Sequence, residues 1–124
     1  LRNALELYRL AEKFDPANFQ LATDIAQVYY GIQPPAHEAA ITAWLRAQSL
    51  ARDDQEREAT HLHLARVKAA AGKLNEARIH LNSVTNAALS SVKSRLAREL
   101  VDQALPLSAK DDDRRLNLPP TQKP

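Results

Sequence analysis

The chain has 124 residues, of which 44% are hydrophobic and 26% charged, a balance typical of one globular domain or a section of a repeat array. It contains no cysteine, which excludes disulfides and thiolate metal sites. The net charge of +2 divides as +1 over residues 1–104 and +1 over residues 105–124, so neither part has the basic surface of a nucleic-acid-binding protein. No apolar run approaches the ~20 residues of a membrane span, and we expect no membrane insertion.

Apolar residues recur at helical rather than strand spacing, and the chain has only 2 glycines, so we predict an all-α protein. The pattern predicts helices over residues 1–14, 17–31, 36–50, 54–71, 74–86 and 87–105. The last of these is two-faced, with Leu89, Val92, Leu96, Leu100 and Val101 on one side and Lys93, Arg95, Arg98, Glu99, Asp102 and Gln103 on the other. Residues 106–124 carry prolines and mixed charge without periodicity, and we expect an extended or disordered tail there.

Turn signals separate these helices. Asp15 and Pro16 end the first helix and start the second, since aspartate caps helix N-termini and proline suits the first turn. Asp53 followed by Glu56 resembles a capping box for the fourth helix. Gly72 is placed to adopt the left-handed conformation that ends that helix.

One spacing pattern recurs three times: a small residue, a large residue four positions later, and a small or apolar residue seven positions later. The instances are Ala4–Tyr8–Ala11, Ala40–Trp44–Ala47 and Ala77–Leu81–Val84. The preceding helices repeat as well, because Ile25-Ala26 matches Leu64-Ala65 at an offset of 39 residues. We therefore expect the alanines to lie where helices approach closely, and Trp44 to pack in the core.

This pattern resembles the tetratricopeptide repeat, a helix–turn–helix unit of about 34 residues. The matching residues are Tyr29, the three alanine anchors and Pro16. The resemblance implies a right-handed α–α superhelix over residues 1–105, with a half repeat (1–16), two repeats (17–52 and 53–86) and a capping helix (87–105), before the 106–124 tail. The departures from the family pattern are His61, Lys68, Arg52 and Leu89.

The start of the chain bears on its length. Leu1 lies inside a helical pattern and is not an initiator methionine. We therefore expect the chain to be the C-terminal part of a longer protein, with further repeats on the N-terminal side of Leu1.

The histidines and carboxylates match no recognised catalytic or metal site. His61 and His63 lie two residues apart, so on one helix they point about 200° apart and cannot share a metal ion. Glu58 could join His61, but two ligands from one helix do not close a zinc site, and His37 and His80 offer no convincing completion. The chain also lacks a glycine-rich phosphate loop and a nucleophile motif. We therefore predict no enzyme activity, no cofactor and no metal ion.

The resemblance also implies a binding surface, because the first helix of each repeat in such proteins lines a concave groove that holds a peptide or protein segment. Amides and a tyrosine suit an extended backbone, and Arg66 suits a carboxylate. The lysine and asparagine clamp of chaperone-binding members is replaced by Thr23 and Gln27, so we do not expect that specificity. A plain solvated face is the alternative interpretation. The candidate protein-binding residues are Gln20, Thr23, Gln27, Tyr30, Leu62, His63 and Arg66.

The sequence thus favours a non-catalytic module that binds a protein or peptide partner. The alternative is structural, a spacer or self-associating segment of a larger repeat protein whose N-terminal face stacks on further repeats.

Overall fold

The structure is a computed structural model that describes residues 2–104. That part of the chain contains no strand, so the predicted all-α class is confirmed. None of its helices is long and apolar enough to cross a membrane. The predicted tail at 106–124 lies outside the described residues. The helices are α1 (Arg2–Phe14), α2 (Phe19–Val28), α3 (His37–Ser49), α4 (Asp54–Ala70), α5 (Leu74–Asn82) and α6 (Ser90–Ala104), and the 3₁₀ turns are Tyr29–Gly31 and Ala87–Leu89.

Each helix packs against the helix that follows it in the chain, and α6 packs against α4 as well as α5. The buried apolar residues form two clusters, one on each side of α4. The first surrounds Trp44 and receives Leu64 and Val67 from α4. The second surrounds the α5–α6 contact and receives Leu62 and Ala65 from α4. Because α4 buries two faces, it connects the two halves of the described chain.

The repeated alanines lie where helices meet. Ala26, Ala40, Ala65 and Ala77 are all buried, and a methyl side chain allows two helices to approach more closely than a larger one would. Ala65 of α4 and Ala77 of α5 belong to the same buried cluster. The close contact predicted between the two helices of the last hairpin is therefore confirmed. Trp44 is 1% exposed, which confirms its predicted core position.

Asn18, rather than Asp15, caps α2. The Asn18 side-chain oxygen accepts a hydrogen bond from the Leu21 backbone N–H at 2.9 Å, while its amide donates to the Asp15 carboxylate at 2.9 Å. The prediction that Asp15 caps this helix with Pro16 in its first turn was wrong, because α2 begins at Phe19. The helix also ends earlier than predicted, since the chain tightens into a 3₁₀ turn at Tyr29.

Both ends of α4 follow the signals in the sequence. The Glu56 backbone N–H donates to the Asp53 carboxylate at 2.8 Å, which confirms the N-terminal cap. The Glu56 carboxylate accepts from the Arg52 backbone N–H at 2.8 Å, one residue earlier than in a standard capping box. At the other end Gly72 has a φ of 82°, and the next residue, Lys73, donates its N–H to the Lys68 carbonyl at 2.8 Å. This is a Schellman motif, which satisfies carbonyls at the helix end that would otherwise lack donors.

The C-terminal helix differs in part from the prediction. Leu96 and Leu100 are buried against α4 and α5, as expected of a capping helix. Val101 is 58% exposed, so its assignment to the buried face was wrong. The opposite face is not wholly solvated either, because the Lys93 ammonium donates to the Val84 carbonyl at 2.7 Å and the Gln103 amide to the Ala69 carbonyl at 2.5 Å. Both long side chains reach back to the preceding helices.

One apolar surface of α1 lies in solvent. Leu7, Leu10 and Phe14 follow one another at intervals of three and four residues, and all three are exposed, Phe14 to 85%. This spacing places them on a single stripe of the helix. The side of α1 that carries the stripe has no neighbour among the described residues.

Candidate functional site

An aromatic stack connects three helical elements. The indole of Trp44 on α3 lies parallel to the imidazole of His63 on α4, with ring centroids 3.9 Å apart and an interplanar angle of 3°. Tyr30, in the 3₁₀ turn after α2, lies against both, with centroids 6.1 Å from Trp44 and 5.8 Å from His63. The stack therefore extends from the buried Trp44 to Tyr30, which is exposed at the surface.

A hydrogen bond closes this stack at its outer end. The Tyr30 hydroxyl lies 2.8 Å from Nδ1 of His63. Burial lowers the pKa of His63 to about 4, with a further contribution from the Arg66 charge, so the imidazole is neutral at pH 7. Burial also raises the pKa of the Tyr30 hydroxyl, and Arg66 opposes that shift. A neutral imidazole can accept a hydrogen bond from the Tyr30 hydroxyl at Nδ1. This arrangement favours the tautomer that is protonated at Nε2.

Arg66, one turn after His63, carries a positive charge without a carboxylate partner in the described part of the chain. Its side chain is exposed and lies beside the neutral Tyr30 and His63, and Glu99 lines a neighbouring recess with it. Four other arginines form ion pairs with aspartate or glutamate, namely Arg9, Arg46, Arg52 and Arg57. A guanidinium in this setting can bind an incoming carboxylate with two parallel hydrogen bonds.

A recess of about 200 Å³ opens beside the stack. Its walls are the end of α2, the 32–37 segment, the first half of α3 and the second half of α4. Tyr30, Trp44 and Arg66 line it, and the lining contains no aspartate or glutamate. Arg66 also lines two neighbouring recesses that face α6, so it stands where the three meet.

The indole of Trp44 contains an unsatisfied donor. Nε1 is buried and has no hydrogen-bond partner within the described residues. A buried N–H without an acceptor costs about 1–3 kcal/mol of desolvation that no bond offsets. The sequence pattern predicted that Trp44 packs, and the same side chain also forms part of the recess wall.

The seven residues predicted to bind a partner fall into three groups. Tyr30, His63 and Arg66 come together at the stack, as described above. Gln27 and Gln20 are exposed on α2, where the Gln20 amide donates to the Asp24 carboxylate at 3.0 Å. Thr23 and Leu62 are buried instead, at 8% and 7% exposure. Thr23 donates its hydroxyl to the Gln20 carbonyl at 2.8 Å, and Leu62 belongs to the second core cluster, so both offer little surface to a partner.

Two histidines that looked unrelated in the sequence lie side by side. Nδ1 of His61 on α4 is 3.0 Å from Nδ1 of His80 on α5, and the Gln48 amide lies 3.2 Å from Nε2 of His61. Burial lowers the pKa of both imidazoles, that of His80 to about 4. Within residues 2–104 no third histidine or carboxylate joins them in a group able to hold a metal ion. The two residues are 19 positions apart on different helices, so no local spacing could predict the pair.

The chain matches no family model, no curated protein and no solved structure.

Proposed function

We propose that the chain is a non-catalytic protein-interaction module of the tetratricopeptide repeat type, which holds a peptide or protein segment in a concave groove of a right-handed α–α superhelix. Three features of the described residues support the repeat assignment. Small residues recur at helix contacts, neighbouring helices in sequence are neighbours in space, and α6 covers the last hairpin. Each hairpin leaves apolar surface that only the next unit buries, as repeat arrays require.

The observation that carries the binding proposal is the charge of Arg66, which forms no ion pair among the described residues and lies beside the Tyr30–His63 pair. Tyrosine supplies a large contact area at low entropic cost, and arginine supplies a directional charge. A rigid aromatic stack beneath them keeps both side chains in place before a partner arrives. Pre-organisation of this kind lowers the entropic cost of binding.

A selection of random peptides against the purified chain tests this function. The selected peptides are expected to lose affinity by a factor of about 5–30, or ~1–2 kcal/mol, with Tyr30→Ala or Arg66→Gln. Tyr30→Phe keeps the ring against Trp44 and His63 and removes only the hydroxyl, so this variant is expected to keep most of the affinity. The melting temperature of each variant reports whether the stack survives. Arg95→Gln on α6, an exposed arginine away from the stack, is the matched control. Absence of any saturable peptide, or loss of affinity only with the control, would contradict the groove.

The stripe of Leu7, Leu10 and Phe14 supports a second candidate, the structural spacer or self-associating segment. In a longer repeat protein, a preceding helix would cover this stripe, in keeping with the expectation of further repeats before Leu1. In isolation the stripe favours association, since exposed apolar patches mark interaction surfaces. Sedimentation at increasing concentration separates the two roles. A spacer is expected to associate, to become monomeric with Leu7→Ser and Leu10→Ser, and to bind no peptide.

A further inference from the structure

We propose that the recess beside Trp44 is a pocket for one large apolar side chain of the bound segment, and that the adjacent residue of that segment is acidic and pairs with Arg66. This inference rests on the proposed function and names the chemistry of the partner. It places the specificity of the groove in a single dipeptide unit, an acidic residue beside a large apolar one.

The size and lining of the recess fit one amino-acid side chain better than a cofactor. Its volume of about 200 Å³ is below the ~300–1,000 Å³ of small-molecule and cofactor sites. The wall is mainly apolar and includes Ile32, Pro35, Ala40 and Val67 together with the face of the aromatic stack. Entry of one apolar group would remove this surface and its own surface from water, which is the main favourable contribution to binding at such a pocket.

The charge around the recess selects an acidic neighbour. The lining of this recess contains Arg66 and no carboxylate, and Tyr30 and His63 beside Arg66 are neutral at pH 7. The carboxylate of Glu99 belongs to the wall of a neighbouring recess that Arg66 also lines. A carboxylate brought to this position meets no like charge and gains a charge-assisted hydrogen bond. A lysine or arginine would meet an unpaired cation of the same sign, which is a repulsive element that also contributes to specificity.

Arg66 is near enough to the recess to meet a residue adjacent to the buried one. Successive residues of an extended chain advance by ~3.3–3.6 Å. Arg66 lines the recess itself and also two neighbouring recesses, so its flexible side chain can meet the residue next to the buried one. The occupant is therefore a segment in which an acidic residue stands next to an aromatic or aliphatic one.

The recess has its own spectroscopic reporter, since Trp44 is the single tryptophan of the chain. We would titrate the intact chain with Ac-Gly-Asp-Phe-Gly-NH₂ and follow Trp44 emission, because phenylalanine does not absorb where tryptophan is excited. The expected result is a saturable change at or below about 1 mM. Replacing Asp by Asn in the peptide is expected to weaken binding about tenfold, the equivalent of one lost charge-assisted hydrogen bond. Replacing Phe by Ala is expected to abolish the change.

Two variants assign these effects to the two parts of the site. Arg66→Gln is expected to remove the preference for Asp over Asn while leaving the preference for Phe over Ala. Ala70→Phe places a large ring at an exposed position of the recess wall, and it is expected to abolish the emission change. Ala39→Phe makes the same replacement at an exposed position of α3 outside the recess and is the matched control. Circular dichroism checks that all variants keep their helix content.

The outcomes separate this inference from the proposed function. No saturable change with the Asp-Phe peptide, equal affinity for the Asp and Asn peptides, or indifference to Ala70→Phe would each overturn the pocket. If selected peptides still bind a variant that carries Ala70→Phe, the chain is an interaction module that uses another surface. If no peptide binds at all, both proposals fail.

Discussion

Ala77 shows how one methyl group sets the distance between two helices. It is fully buried between α5 and α4, in the same cluster as Ala65. We predict that Ala77→Leu lowers the free energy of unfolding by ~1–3 kcal/mol, because the added atoms must push the helices apart. Ala39→Leu, at an exposed position of α3, is expected to change it by less than about 0.5 kcal/mol. Urea unfolding of both variants decides the point, and equal effects would contradict the close contact.

His63 makes stability depend on pH. Its folded-state pKa of about 4 lies below the ordinary value of 6.5, so between these values the unfolded chain binds more protons. The contribution of His63 to the free energy of unfolding is therefore fully present above pH 6.5. It falls as the pH decreases toward 4 and stays constant below that value. His80 behaves in the same way, for the same main cause.

We predict that His63→Phe removes part of this dependence, since phenylalanine keeps a ring against Trp44 and does not titrate. We would measure urea unfolding at pH 7 and at pH 5, because both pH values lie above most of the range in which carboxylates titrate. Between these two values the wild-type chain is expected to lose on the order of 1 kcal/mol more than the variant, after allowance for solvent screening of a partly exposed site. An identical loss in both proteins would show that the His63 imidazole is not neutral in the folded state.

At the scale of the helix, Gly72 determines where α4 ends and α5 begins. A Cβ at this position would meet no atom within 4 Å, so space is not the constraint, but the φ of 82° is costly for any residue with a side chain. We predict that Gly72→Ala lowers the melting temperature, with a cost of ~1–2 kcal/mol. Gly31 has no positive φ, and Gly31→Ala is the matched control, expected to be neutral or slightly stabilising. A neutral Gly72→Ala would mean that the turn relaxes without the left-handed residue.

The helices could be predicted from the sequence because the signals that define them are local. The alanine spacing, the Asp53 cap and Gly72 each act within a few residues. Ala40, Ala77, the Asp53 cap and Gly72 are found where they were expected, whereas Ala4 is only half-buried and Ala11 is exposed. The prediction of Asp15 as the cap failed because Asn18, whose residue type also caps helices, lies within one turn of it. Periodicity also overextended the buried face of α6 to Val101, which is exposed because it lies about 100° around the helix from the buried Leu100.

The candidate site could be predicted only in part, because its geometry depends on residues distant in sequence. Tyr30, His63 and Arg66 were expected on one surface from the repeat pattern alone. The parallel contact of Trp44 with His63 and the pairing of His61 with His80 each join residues 19 positions apart on different helices. A periodic pattern shows which face of a helix is apolar. It does not show which atom of the neighbouring helix lies opposite.

At the scale of the whole molecule, α6 serves as the closing layer of the second core cluster. It contributes Leu96 and Leu100 to the surface formed by α4 and α5. We predict that a chain truncated after residue 86 loses cooperative thermal unfolding and associates, because these apolar surfaces become exposed. A chain truncated after Ala104 keeps both clusters and is expected to melt like the full chain. If the two truncations behaved alike in sedimentation and circular dichroism, α6 would not be a cap.

The position of α4 has a consequence for how the molecule opens. This 17-residue helix packs against α3, α5 and α6, whereas α1 packs chiefly against α2 and is tied to α3 by the ion pair between Glu12 and Arg46. Amide protons of α4 can then exchange with solvent only when the whole domain unfolds, whereas those of α1 exchange after a local detachment that leaves the rest intact. We therefore expect local stability to rise from α1 to α4. Detachment of α1 would reach the recess through the hydrogen bond from Arg9 to the hydroxyl of Tyr29 in the recess wall.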